Sequence, residues 1–233
     1  MSEYNEEVVV NITADLSDIQ SGVTKLADSA SALPESFKET RSNVDAIIEL
    51  MNKEMGSINS GVFANIPKHF KYAFELAFNQ IKPQILEINN MLKSGLTDID
   101  VAPKVNQQLG FLAANLDRVI SATRNLNTLT TGLNNAQIKA LNQDAPDIQR
   151  SISRVAGMLS KHGSVSDNSI RSALLATAGA KQGLSAMSSY TGWSKTQQNE
   201  FLKSMIKLTA PTYARKDYYE FARRYAGGSL PKV

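Results

Sequence analysis

Apolar residues recur along most of this chain at steps of three and four, the spacing of one face of an α-helix. Phe37, Val44, Ile47, Ile48, Met51, Met55 and Ile58 make one such stripe, with Glu and Lys opposite. Pro34 stands ahead of it as a first-turn proline. Phe70, Phe74, Phe78, Ile81, Ile85, Ile88 and Leu92 make the strongest aromatic stripe, which reads as core. Pro83 sits inside it and is expected to kink or divide that helix. The most regular segment follows, where Val105, Leu109, Leu112, Leu116, Val119, Thr123, Leu126, Thr130 and Leu133 alternate by four and three. That 3.5-residue period marks a left-handed coiled coil or a long bundle helix, pairing within the chain or with a second copy.

Shorter helical patterns complete the chain. One carries Ile148, Ile152, Val155 and Leu159 behind Asp144 and Pro146. Another carries Ile170, Leu174, Leu184 and Met187 through a run rich in small residues. Ser194 and Gln197 have capping-box spacing ahead of Phe201, Leu202, Met205 and Ile206. A last helix is expected from Pro211 to about Gly227. The breaks fall at residues 56–67 ("GSINSGVFANIP"), 93–103 ("KSGLTDIDVAP") and 190–193 ("YTGW").

The N-terminus reads differently. Val8, Val9, Val10 and Ile12 are β-branched and favour an extended stretch. Asp15 or Ser17 would then cap a helix carrying Ile19, Val23 and Leu26. The expected fold class is all-α, a helical bundle or elongated helical array with a short extended N-terminal segment. Residues 1–60 form an acidic part with the extended stretch and amphipathic helices, and 61–233 a helical bundle ending in a basic aromatic helix.

Composition narrows the chemistry. There are no cysteines among 233 residues, which removes disulfides, thiolate nucleophiles, cysteine zinc sites and iron–sulfur clusters. The opening "MSEYNEEVVV" is acidic where a signal peptide would be basic, and no run reaches the ~18 apolar residues of a membrane span. A soluble chain, cytoplasmic in the producing cell and without membrane contact, is the expectation. The net charge of +3 hides an asymmetry. Residues 1–56 hold eleven acidic residues against four basic ones, whereas seven basic residues face two acidic ones from 203 onward. Such ends can bind different partners, or each other in an assembly.

His69 and His162, the two histidines, lack a carboxylate or second histidine at helical metal-site spacing. Phosphate-binding glycine loops and nucleophile elbows are absent from the sequence. The reading is non-enzymatic, with no catalytic residue, metal or cofactor. One local constellation stands out near the C-terminus, where Tyr213, Arg215, Lys216, Tyr218, Tyr219, Phe221, Arg223, Arg224 and Tyr225 crowd together. Basic groups there could neutralise phosphates while aromatic rings stack on bases. The simpler reading is an amphipathic helix that docks its aromatic face, with Tyr218, Phe221, Ala222 and Tyr225 on one side. An acidic protein surface, such as the N-terminal third of a neighbouring copy, would suit the same residues.

The stretch "VVVNITADLSDIQSGVTKLADSASAL", residues 8–33, resembles the start of phage tail tape measure proteins. The residues that carry the resemblance are Val8, Val10, Ile12, Ala14, Asp15, Ser17, Gly22, Lys25 and Leu26, about one tenth of the chain. It implies a virion structural role, with Val8, Val10 and Ile12 adding to the sheet edge of a tail partner. As one unbroken helix 233 residues would reach only about 350 Å, which points away from a length-setting ruler. The leading expectation is a structural or assembly protein of a phage tail or virion, with other protein subunits as partners and homo-oligomerisation open. The alternatives are a nucleic-acid-binding helical protein using Arg215, Lys216, Arg223 and Arg224, or a protein-binding inhibitor or regulator.

Overall fold

A computed structural model describes residues 3–54, 68–94, 101–143 and 180–209, together with 63, 66, 146, 148, 150 and 152. Among these the protein is all-α and contains no strand. In chain order the helices are α1 (Glu3–Ser31), α2 (Lys38–Glu54), α3 (Lys68–Lys93), α4 (Val101–Thr130), α5 (Ala180–Thr191) and α6 (Lys195–Thr209). A 3-10 turn, Glu35–Phe37, leads into α2, and residues 135–143 are also helical.

The extended N-terminal stretch is corrected: residues 8–14 lie inside α1. Leu16 explains why, because it joins Ile12 to the stripe behind it. Ile12, Leu16, Ile19, Val23, Leu26, Ala30 and Leu33 step by four and three, and all are buried. Each valine or isoleucine costs about 0.5 kcal/mol of helix propensity relative to alanine. Burial of each large apolar side chain returns roughly 1.5–3 kcal/mol, so packing overrides local preference. Asp15 and Ser17 consequently sit mid-helix rather than at a cap.

The stripes of α3 and α4 hold, and in the stripe that runs into α2 Phe37, Val44, Ile47 and Met51 are buried while Ile48 is half-buried and Met55 and Ile58 lie outside the described residues. Phe70, Phe74, Phe78, Ile81, Ile85, Ile88 and Leu92 are all buried along α3. Pro83 lies inside this helix without dividing it. Both Pro83 and Asn79, whose carbonyl loses its partner to the proline ring, are exposed, so water can satisfy the freed group. On α4 the stripe from Val105 to Thr130 is buried at every position. Its two threonines fit because their hydroxyls donate inward, Thr123 to the Val119 carbonyl at 2.7 Å and Thr130 to the Leu126 carbonyl at 2.8 Å. Pro34, expected in a first turn, stands just ahead of the 3-10 turn, and the Phe37 amide donates to its carbonyl at 3.0 Å.

The described residues fall into two compact units. The first gathers residues 14–54, 78–94 and 101–117, which are segments of α1, α2, α3 and α4. Here α1 and α3 run parallel, since Asp15 and Asp18 meet Lys82 while Ser29 meets Asn89 further along both helices. Gly22 sits between these contacts, where an added Cβ would stand 2.7 Å from Ile85 Cγ2. The missing side chain is therefore what lets α3 approach α1 so closely.

The second unit gathers residues 3–13, 63, 66, 68–77, 118–143 and 180–209, with the described positions from 146 to 152. Aromatic rings centre it. Phe70 meets Phe201 edge-on at 5.1 Å between ring centres, Trp193 leans on Phe201 at 5.1 Å, and Phe63 meets Phe74 edge-on at 5.2 Å. The break expected at residues 190–193 falls at its second half, since Tyr190 and Thr191 still belong to α5 and Gly192 follows at φ +68° in the left-handed region. The capping box at α6 forms in both directions: Ser194 N donates to Gln197 Oε1 at 2.9 Å and Gln197 N donates to Ser194 Oγ at 3.3 Å. Asn134 and Gln137 make the same reciprocal pair ahead of residues 135–143.

Candidate functional site

Of the residues singled out in the sequence, Ile12 is fully buried and serves the core. Val8 and Val10 lie in the helical backbone of α1, so there is no strand edge at these positions for a partner's sheet to extend. Arg215, Lys216, Tyr218, Tyr219, Arg223 and Arg224 lie outside the described residues, as does His162. Among the described residues no group of three His, Asp or Glu side chains could hold a metal ion. No described helix is long and apolar enough to cross a membrane.

Two polar arrangements in the first unit follow from the pairing of α1 with α3. Asp15 and Asp18, three apart on one helical face, both accept from Lys82 Nζ, at 2.5 and 2.8 Å. These hydrogen bonds raise the Lys82 ammonium above its ordinary value near 10.5, against a smaller opposing effect of burial. The ammonium is therefore charged throughout the neutral range, unsuited to act as a base, and holds two helices together. Ser29 Oγ donates to Asn89 Oδ1 at 2.8 Å two turns further on, and Asn115 Nδ2 donates to Gln84 Oε1 at 2.8 Å between α4 and α3. Sequence reading missed the lysine bracket. Asp15 and Asp18 share a face in any helical reading, but nothing local selects Lys82 as their partner.

Among the described residues, two adjoining surface depressions lie on α1 and α2. A shallow groove there is lined by Gln20, Val23, Thr24 and Ala27 of α1 and by Ile48, Met51 and Asn52 of α2. Val23 and Met51 are buried and form its base, while Ile48 is half-buried on its wall. A second, more open depression adjoins it through Ile48 and Asn52 and adds Asp45, Glu49 and Lys53. The hydrophobic spacing foretold Ile48 as stripe, yet the wider packing of α1 and α2 leaves it at the rim. Chemically this is an amphipathic trough with two carboxylates and one ammonium beside it. It offers neither nucleophile nor paired acid and base at its base.

No protein-family model, curated protein or solved structure matches the chain.

Proposed function

We propose that the protein is a non-enzymatic structural or assembly component, of a phage tail or virion, that works through helix–helix contacts with other protein subunits. The observation that carries this reading is the groove between α1 and α2. Its base is apolar, its rim is polar with Asp45, Glu49 and Lys53 in the adjoining depression, and its lining comes from two helices already fixed by their own buried stripes. The virion assignment draws on the resemblance of residues 8–33 to the start of tape measure proteins. With those residues helical, attachment in this reading proceeds by helix docking rather than strand addition.

The test is recovery of the tagged chain from the cells that make it, followed by nuclease treatment and mass spectrometry. Tail or virion subunits are expected at stoichiometric levels after nuclease. A chain recovered alone, or only with nucleic acid, contradicts the proposal.

A further inference from the structure

We draw no further inference here: the strongest candidate, the surface patch on α3 where Asn79, Pro83 and Leu86 recur at helical spacing and stand exposed, carries nothing because nothing in the structure shows what covers it.

Discussion

At the scale of single residues, Gly22 shows how a small difference sets a large contact. Replacing glycine by alanine inside a helix ordinarily gains about 1 kcal/mol of propensity. Here the new methyl would press on Ile85 Cγ2, a methyl held directly on the branched Cβ with little freedom to swing away, so Gly22→Ala should instead destabilise by about 1–3 kcal/mol. Urea unfolding of the single variant and of Gly22→Ala with Ile85→Ala checks this. The two changes should be strongly non-additive, since the second removes the obstructing carbon. Lys82 carries the clearest pH dependence. Its folded value lies above the ordinary one near 10.5, so its contribution is full below that pH and is lost as pH rises through the folded value. Lys82→Met should cost about 0.5–1 kcal/mol at neutral pH, and its melting temperature should fall less than that of wild type as the solution is made more alkaline. Neither partnership is visible in sequence, because each joins residues more than sixty positions apart across two helices.

At the scale of elements, the long stripes of α3 and α4 were legible because their period is unbroken over more than twenty residues. The start of α1 misled because three adjacent valines give a strong local preference for extended backbone. The deciding residue, Leu16, sits between two good capping candidates and connects the stripe across them. Ile12→Ala should therefore destabilise by about 2–4 kcal/mol, as expected for a buried helix position and not for an exposed strand edge. Chemical denaturation measures it, and a loss below roughly 0.5 kcal/mol would contradict the helical assignment of its surroundings. Pro83 makes the opposite case, a helix breaker that the stripe on either side overrides. Pro83→Ala restores an amide to an exposed turn and should raise stability by about 1–3 kcal/mol, read as a higher melting temperature.

At the scale of the whole molecule, the sequence disclosed the charge asymmetry and the absence of cysteine chemistry but not where a partner would sit. The groove could not be read from either helix alone, since Val23 and Ile48 belong to ordinary amphipathic stripes until α1 and α2 are packed. What the packing adds is an amphipathic trough, with Asp45, Glu49 and Lys53 at the depression that adjoins it. Ile48 is half-buried on the groove wall, so Ile48→Glu should leave the helical content by circular dichroism unchanged while placing a charge where an apolar contact is expected. The most direct measurement compares wild type and Ile48→Glu, each recovered from the producing cells under nuclease, by the quantity of co-purifying subunits per chain. The account predicts that wild type retains its protein subunits and that Ile48→Glu loses them about tenfold or more. Equal recovery by the two chains, or none by wild type, would contradict it.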